Sequence, residues 1–597
     1  MRIGLLTEGG YPYATGEARL WCDRLVRGLP QHEFELYALS RSAEQERARV
    51  PLPEHVAHVR TAPLWAPADD GRTYARRERR RFADCFGELV HGICAGAPDP
   101  FAGGLYGLAD LAREQGGLHA ALRSESAVRA LEGACRAHGA SRTVQAAHVA
   151  DLLEFVDELE RMLRPLSLDW YEEDARGEGL AAGVLLVPVE GQRAQHPLQF
   201  VDELERMLRP LSLDWYEEDA RGEGLGAVDV CHAAAGGVAA LPGLLAKRFF
   251  GVPLLVTEYG VQLRAHYLSE YGVQLRAHYL SHLGAGRGEE PRPAVRALLA
   301  AFHLRLACEI YARADFLTPG NAHARRWQER CGAGRDRLRT VHPGMEADRF
   351  ATVGESADRG DPDTLVWVGR VEPAKDLIAL LHAFAEVRRA EPRARLRIFA
   401  TAADPGYLAD CRSLAAQLFP DEAADSVTVG ENPVAFEEIG GPEAPSAADA
   451  YGAGRVVVLS SVIEGFPVTL AEAMFCGRAT VSTDVGAVCE VIGGTGLVVP
   501  PRNPRALAEA CLSLLGDAER AERLGAAARA RALELFTVEQ NVAAFQEIYL
   551  RLLAKGSGRP DGGGIPFARP PEARVPGHWT SPTWAKPAPD PTSEAAV

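Results

Sequence analysis

The stretch "VVVLSSVIEGFPVTLAEAMFCGRATVSTDVG", Val456–Gly486, predicts a strand, a loop, a helix and a second strand in that order. Its first four residues are apolar and lead into small residues, as at the end of a buried strand. Pro467 stands where a helix should begin, because proline is favoured at the first helical position. A strand, a helix and another strand form a βαβ unit, which joins neighbouring strands of a parallel sheet.

The same alternation of strands and helices extends through most of the chain. In the C-terminal half the predicted strands are "TLVWVGR", "ARLRIFA", "SVTVG", "RVVVLSS", "ATVSTD" and "GLVVPP". In the N-terminal half they are Arg2–Leu6, Phe34–Leu39, "AVDVCHA", "VPLLVTEYG" and "ADFLTPGN", and "LRTVHPGMEADRF" is predicted to form a strand and a turn. We therefore predict an α/β protein with two doubly wound, Rossmann-like parallel-sheet domains that face a cleft.

The two domains are expected at residues 1–317 and 318–555. A mostly helical and irregular insertion occupies about residues 72–225 of the first domain. The tail, residues 556–597, is rich in proline, glycine, alanine and serine. That composition is typical of disorder.

The composition excludes several classes of protein. The 597 residues are 47% hydrophobic and 24% charged, which is typical of soluble proteins with large cores. The formal net charge of −16 argues against a nucleic-acid partner. Eleven cysteines without a CxxC pair indicate reduced thiols and a cytoplasmic setting. The sequence contains no run of about 20 apolar residues, so no transmembrane helix is predicted.

Two segments of the chain are duplicated without a single change. Residues 155–180 recur at 200–225, and residues 258–269 recur at once at 270–281. Two copies do not make a solenoid, and an old repeat would have diverged. The identity is explained either by a recent duplication or by an error in the sequence. We expect no separate activity from either repeat.

Two carboxylates lie in the loop and helix that follow the strand Val456–Leu459. Glu464 precedes the predicted helix, and Glu472 lies about one and a half turns inside it. The carboxyl edge of a parallel sheet is the usual ligand crevice, and carboxylates accept hydrogen bonds from the hydroxyls of sugars and ribose. The plain alternative is a helix whose acidic first turn complements its dipole.

Two cations follow another predicted strand, in "VWVGRVEPAKDL", Val366–Leu377. Arg370 and Lys375 suit a diphosphate, the first as a planar fork and the second as a point charge. The plain alternative is a pair of solvated surface cations. Both pairs of residues lie at the carboxyl ends of strands in the same predicted sheet, so they should face one crevice. Cations for a diphosphate and carboxylates for hydroxyls together predict a nucleotide-sugar site.

These motifs carry a family resemblance. "GRVEPAK", "EGFPVTLAEAM" and "TDVG" resemble the donor half of retaining family 4 glycosyltransferases, which have the GT-B fold. "LLTEGGYPYATGEARLWCDRLVRGLP", "VCHA" and "VTEYG" are similar to the N-terminal domain of the PelF-like branch, which is associated with exopolysaccharide synthesis. The resemblance implies a hexosyltransferase that uses a nucleotide sugar, with UDP-glucose as the expected donor and a saccharide as acceptor.

The resemblance also implies roles for single residues. Arg370 and Lys375 hold the donor diphosphate and stabilise the leaving group. Glu464 lies near the hydroxyls of the donor sugar, and Glu472 binds the ribose. No cofactor is implied beyond the donor substrate.

Further roles concern the sugar and the facing domain. Gly465 and Phe466 are expected to present backbone to the sugar, and Gly16 lies in a first loop that crosses the cleft near the phosphates. His232 is expected to contact the transferred sugar or the acceptor, although a histidine in this setting is often simply packed. The chain departs from the branch at Gly16-Glu17, where a double glycine is usual, and at Tyr259, where a histidine is usual.

The chemistry expected from the resemblance needs no metal. The one plain Asp-x-Asp pair, Asp361 and Asp363, is interpreted as a turn before a strand. Retention is expected through a same-face route in which the leaving phosphate helps to deprotonate the acceptor. A membrane-associated partner in polysaccharide synthesis is consistent with the branch.

Three other functions are alternatives to a glycosyltransferase. An NAD-dependent oxidoreductase needs GxGxxG after a strand, and the glycines of "TEGGYPYATGEA" have the wrong spacing. A nucleotide-sugar epimerase would use a similar donor site but would change the sugar without an acceptor. A non-catalytic nucleotide-sugar-binding subunit of a polysaccharide assembly would bind the donor without turnover.

Overall fold

A computed structural model describes most of the two predicted domains. The described residues are 1–13, 17–40, 45–47, 50–64, 70–137, 201, 204–217, 223–259, 293–420 and 432–556. Five predictions lie outside them: the placement of Gly16, the first long repeat copy, the short repeat after Tyr259, the strand "SVTVG" and the tail after Gly556.

The first domain is built on a six-stranded parallel sheet with the order β3-β2-β1-β4-β5-β6. Its strands are β1 Arg2–Glu8, β2 Glu33–Ser40, β3 Val56–Pro63, β4 Val230–Ala233, β5 Leu254–Glu258 and β6 Phe316–Pro319. Leu5 packs into a core on one face of β1, and Leu6 packs into the core on the other. Both faces of this sheet are therefore covered, as the continuous apolar strands predict.

The second domain repeats this plan with the order β12-β11-β10-β7-β8-β9. Its strands are β7 Asp361–Val371, β8 Arg395–Ala403, β9 Val434–Glu438, β10 Gly454–Leu459, β11 Ala479–Thr483 and β12 Leu497–Val499. Val366 and Trp367 face opposite cores across β7. The predicted fold class, two doubly wound Rossmann-like parallel-sheet domains, is confirmed.

In each sheet the chain winds outward from its first strand in one direction and then in the other. The reversal falls between β1 and β4 in the first domain and between β7 and β10 in the second. Ligands of doubly wound sheets bind at such a reversal, beyond the carboxyl ends of the two strands. A ligand of the second domain is therefore expected to bind at the residues that follow β7 and β10.

Helices cover the sheets and build the insertion. In the first half they are α1 Glu17–Gly28, α2 Arg76–Ala95, α3 Pro98–Gln115, α4 Leu118–Leu122, α5 Glu125–Arg136, α6 Leu241–Phe250, α7 Pro293–Arg313 and α8 Ala322–Arg330. In the second half they are α9 Ala351–Gly354, α10 Leu377–Ala390, α11 Pro405–Leu418, α12 Ala447–Gly452, α13 Val468–Phe475, α14 Val488–Ile492, α15 Pro504–Leu515, α16 Ala518–Leu535 and α17 Val538–Gly556. None of the helices in the described part of the chain is long and apolar enough to cross a bilayer.

The second copy of the long repeat is packed into the first domain. Leu204, Leu208, Trp215 and Tyr216 are buried in the same core as the insertion helices. The Trp215 ring meets the Tyr37 ring of β2 edge to face, with centroids 5.5 Å apart. This copy therefore supplies part of the core of the first domain.

The last helix returns to the first domain. Phe545, Ile548 and Tyr549 of α17 are buried in one core with Trp21 of α1 and Leu255 of β5. Residues 538–553 fall within the range 318–555 expected for the second domain, whereas this helix packs on the first domain. A second difference is the predicted strand in "LRTVHPGMEADRF", where only Leu338 and Met345 make isolated bridges.

Candidate active site

A tight turn after β7 places Lys375. Pro373–Lys375 form one turn of 3₁₀-helix, and Asp376 then adopts a left-handed backbone with φ of 45°. The Asp376 carboxylate accepts a hydrogen bond of 3.2 Å from the N–H of Ala379 and so caps α10. Burial raises the pKa of Asp376. The turn and the cap together fix Lys375 at the carboxyl edge of the sheet.

The loop after β10 is tied to this turn through its backbone. The Ser460 hydroxyl donates a hydrogen bond of 2.7 Å to the carbonyl of Lys375. The Val462 N–H donates one of 2.9 Å to the carbonyl of Ala374. The two loops therefore behave as one unit at the reversal of the sheet.

The side chains of Lys375 and Glu464 meet at this edge. Lys375 Nζ donates a hydrogen bond to Glu464 Oε1, and the Ser461 hydroxyl donates a second one of 2.7 Å to the same oxygen. The side chain of Lys375 is 18% exposed and that of Glu464 is 8% exposed. Because the pair is mostly shielded from water, removal of either partner would leave the other charge buried and uncompensated.

The "TDVG" motif supports the Glu464 loop from behind. Thr483 Oγ1 donates a hydrogen bond of 2.6 Å to the carbonyl of Ser461, and the Ala487 N–H donates one of 3.2 Å to the carbonyl of Gly465. Gly486 has φ of 57°, and a Cβ there would collide with the carbonyl of Glu464. Glycine is required here both by the left-handed backbone and by this close approach.

Arg370 lies at the end of β7, beside the turn. The pairing register between β7 and β8 shifts between Gly369 and Arg370, an irregularity of the kind that occurs next to active sites. The Arg370 side chain is 42% exposed, and its Nε is 3.8 Å from Glu372 Oε2. Arg370 is thus more open to solvent than Lys375.

Glu472 lies on α13, as the sequence predicts, and is held by a tyrosine that sequence analysis missed. Tyr451 OH donates a hydrogen bond of 2.8 Å to Glu472 Oε2. Burial raises the pKa of Tyr451 well above its ordinary value, so its hydroxyl stays a donor. Tyr451 stands before β10 in a stretch without a recognisable motif, and no sequence signal pointed to it.

Gly465 and Phe466 lie between Glu464 and α13. Gly465 is exposed, whereas Phe466 is half-buried and packs against Phe536, with ring centroids 5.5 Å apart. The ring of Phe466 also lies 6.3 Å from that of His342. The backbone of this loop is exposed at Gly465, where a ligand can reach it.

His232 differs from the expectation that it contacts the transferred sugar or the acceptor. The side chain has no exposed surface, and both ring nitrogens are used. Nδ1 lies 2.6 Å from the hydroxyl of Tyr549 in α17, and Nε2 lies 2.7 Å from Thr257 Oγ1 in β5. Burial lowers the pKa of His232 to about 3, so the ring is neutral. His232 links β4 to the returning C-terminal helix.

Tyr259, which stands where the family resemblance leads us to expect a histidine, also contacts α17. Asn541 Nδ2 donates hydrogen bonds of 2.8 Å to the Tyr259 hydroxyl and 2.6 Å to the carbonyl of His342. Tyr259 therefore contributes to the contact between α17 and the segment that joins α8 to β7.

Asp361 and Asp363 lie at the amino end of β7, at the far end of the strand from Lys375. The Asp363 N–H donates a hydrogen bond of 2.8 Å to Asp361 Oδ1. The predicted turn is thus the start of the strand itself. Among the residues that the structure describes, no group of three or more His, Cys, Asp or Glu side chains could hold a metal ion.

Comparison with protein families divides the chain in the same way as its two sheets. Residues 362–517 match the family model of glycosyl transferases group 1. Residues 1–159 and 221–336 match a domain of unknown function, DUF3492. The first match covers both loops of the site and supports a glycosyltransferase.

Curated relatives agree with this match. A D-inositol 3-phosphate glycosyltransferase of Kineococcus radiotolerans is 30% identical over 264 residues, which are 41% of this chain and 58% of that protein. One from Thermobispora bispora is 27% identical over 340 residues, 55% of this chain and 72% of that protein. The chain spans a little over half the length of the first such relatives.

Solved structures also align with the chain. Anabaena Alr3699/HepE in complex with UDP and glucose covers 92% of this chain and 99% of its own, with 14% identity and a TM-score of 0.47. Sucrose-phosphate synthase from Thermosynechococcus elongatus covers 93% and 99%, with 16% identity and a TM-score of 0.47.

Proposed function

We propose that the protein is a retaining hexosyltransferase that takes glucose from UDP-glucose and transfers it to a saccharide or polysaccharide acceptor. The observation that carries this proposal is the contact between Lys375 and Glu464 at the reversal of the second sheet. A cation and a carboxylate held together there match the two ends of an activated sugar, a diphosphate and a ring rich in hydroxyls.

Bond cleavage moves negative charge onto the diphosphate and positive charge onto the sugar ring. We assign Arg370 and Lys375 to the diphosphate, where fixed cations stabilise the leaving group most strongly in the transition state. Arg370 is the more exposed of the two and offers a planar fork, whereas Lys375 is held in place by its turn. In this scheme the two cations neutralise the leaving group and no metal is needed.

Glu464 and the exposed backbone of Gly465 are assigned to the sugar. When UDP-glucose binds, it must share or replace the hydrogen bond between Lys375 and Glu464. The Lys375 ammonium and the Glu464 carboxylate then become available to hydrogen-bond the ligand. Ser461 keeps the Glu464 carboxylate in place while this happens. Glu472, held by Tyr451, is assigned to the ribose hydroxyls.

We assign the acceptor to the first domain and propose retention by a same-face route, in which a departing phosphate oxygen takes the acceptor proton. Closure of the domains would exclude water from the reacting bond. His232 has no place in this scheme, because its ring is occupied by Tyr549 and Thr257. We further propose that the protein acts in the cytoplasm, with a membrane-associated partner in polysaccharide synthesis.

A panel of nucleotide sugars, screened for binding and for slow hydrolysis, tests the proposal. UDP-glucose should bind best, and Lys375→Ala and Glu464→Gln should weaken binding and hydrolysis at least tenfold, the loss expected for one charge-assisted hydrogen bond. Lys247→Ala is the matched control, because Lys247 pairs with Asp315 in the first domain. If no donor binds, or if both site variants behave like the control, the proposal fails. Epimerised sugar in the donor-only reaction would identify an epimerase instead.

A further inference from the structure

Two thiols approach each other in the helical insertion of the first domain. Cys94 lies near the carboxyl end of α2, and Cys135 lies near the carboxyl end of α5. Their sulfur atoms are 3.8 Å apart, although the residues are separated by 41 positions in the chain. Ala127 and Leu131 of α5 are buried in the core that also contains α2, so the helices hold the thiols together.

The two thiols differ in their access to solvent. Cys94 is buried with 4% of its surface exposed, whereas Cys135 is an exposed residue. The two sulfur atoms lie within hydrogen-bond distance of each other, and either thiol can be the donor. This contact lowers the pKa of Cys135 and raises that of Cys94. A solvent-exposed cysteine with a lowered pKa, lying beside a second thiol, is the arrangement found at redox-sensitive cysteines.

We propose that Cys94 and Cys135 are a redox modification site that forms a reversible disulfide under peroxide. No part of the proposed transfer reaction uses either residue, so this inference is independent of the proposed function.

The chemistry balances with a peroxide as oxidant. The Cys135 thiolate attacks one oxygen of hydrogen peroxide, the O–O bond breaks, and Cys135 becomes a sulfenic acid as the other oxygen leaves as hydroxide. The Cys94 sulfur then attacks the Cys135 sulfur; the S–OH bond breaks, and the departing hydroxide takes the Cys94 proton to leave as water. Two molecules of a small thiol reverse the step by exchange and are themselves oxidised to a disulfide.

Little movement is required for the bond to form. A disulfide has a sulfur–sulfur distance of about 2.05 Å, so the two atoms must approach by about 1.7 Å. Cys135 lies in the last turn of a 12-residue helix of the insertion. A small shift of this turn is enough, and the bond would then fix α5 to α2.

The test uses the full chain in its reduced form, treated with hydrogen peroxide and then alkylated and digested. Mass spectrometry should find the peptides of Cys94 and Cys135 joined, and titration should find two fewer of the eleven thiols, both restored by dithiothreitol. The melting temperature should rise by a few degrees on oxidation, because a cross-link restricts the unfolded chain. Cys489→Ser is the matched control, since its exposed thiol is bonded to Asp484 and not to another thiol.

Single variants separate the two steps. Cys94→Ala should leave Cys135 as a sulfenic acid that dimedone labels, and Cys135→Ser should abolish both the cross-link and the label. Cys135 is exposed, so its variant should fold, and circular dichroism checks both variants. Joined peptides of Cys85 and Cys135, or eleven unchanged thiols after treatment of the wild type, would overturn the proposal.

Discussion

Lys375 and Glu464, 89 positions apart in the chain, form a hydrogen-bonded ion pair across the reversal of the second sheet. The positive charge of Lys375 and the negative charge of Glu464 compensate each other. Removing one partner from a shielded pair leaves an uncompensated charge, which is costly. The pair therefore both shapes the site and makes it sensitive to substitution.

Replacement of Glu464 by glutamine tests its role at the sugar. The amide keeps the shape but loses the charge, so donor affinity should fall by about 10–100-fold, the value of a charge-assisted hydrogen bond. Calorimetric titration with UDP-glucose measures this change. Glu443→Gln, which alters a 72% exposed carboxylate of the same domain, should bind like the wild type. Equal affinities for the wild type and Glu464→Gln would remove Glu464 from the site.

Tyr451→Phe tests the ribose assignment. The variant deletes the hydroxyl that holds Glu472, so affinity for uridine and for UDP should fall by the same factor of about 3–10. Titrations with both ligands give the two factors. A loss for UDP alone would mean that Glu472 acts on the phosphates and not on the ribose.

His232→Gln tests whether this histidine links the domains. Its pKa is about 3 in the folded protein and about 6.5 in the unfolded chain, so the unfolded chain alone takes up a proton between these values. The stability that wild type draws from neutral His232 is complete above about pH 6.5 and falls by about 1.4 kcal/mol per pH unit below it.

The melting temperature of wild type should therefore exceed that of His232→Gln at pH 7.5, and the difference should shrink at pH 5.5. Donor binding should be the same in both proteins. A variant that melts like the wild type at both pH values but has lost turnover would restore His232 as a catalytic residue.

Trp215→Ala tests which copy of the long repeat fills the core. Trp215 is 2% exposed, so truncation should cost about 3–5 kcal/mol and lower the melting temperature clearly. Trp170→Ala, the same change in the first copy, is the matched comparison, and its effect should be much smaller if the second copy alone supplies this core. Equal losses in the two variants would contradict the assignment.

Much of the fold follows from local patterns. Apolar runs that end in glycine or serine, such as those before Arg370 and Ser460, predict buried parallel strands, and the strand order then brings their ends together. This is why the sequence could predict that Lys375 and Glu464 lie near each other. The apolar runs are recognised from neighbouring residues alone, and the rules of sheet winding then predict which strand ends lie side by side.

Other features depend on contacts that no local pattern carries. His232 is buried because Tyr549, 317 positions away, returns with α17 and covers it. The left-handed cap at Asp376 arises where a 3₁₀ turn must lead into α10, and aspartate tolerates that conformation. Residues 338–341 were predicted as part of a strand, but they only run alongside β6, with one isolated bridge at Leu338, on the way from the first domain to the second.

The most direct test of the central claim is calorimetric titration of UDP and of uridine into wild type, Lys375→Ala and Lys247→Ala. If Lys375 recognises the diphosphate, Lys375→Ala should bind UDP at least tenfold more weakly than wild type while binding uridine equally well. Lys247→Ala should match wild type for both ligands. A Lys375→Ala variant that folds and binds UDP as tightly as wild type would contradict the account.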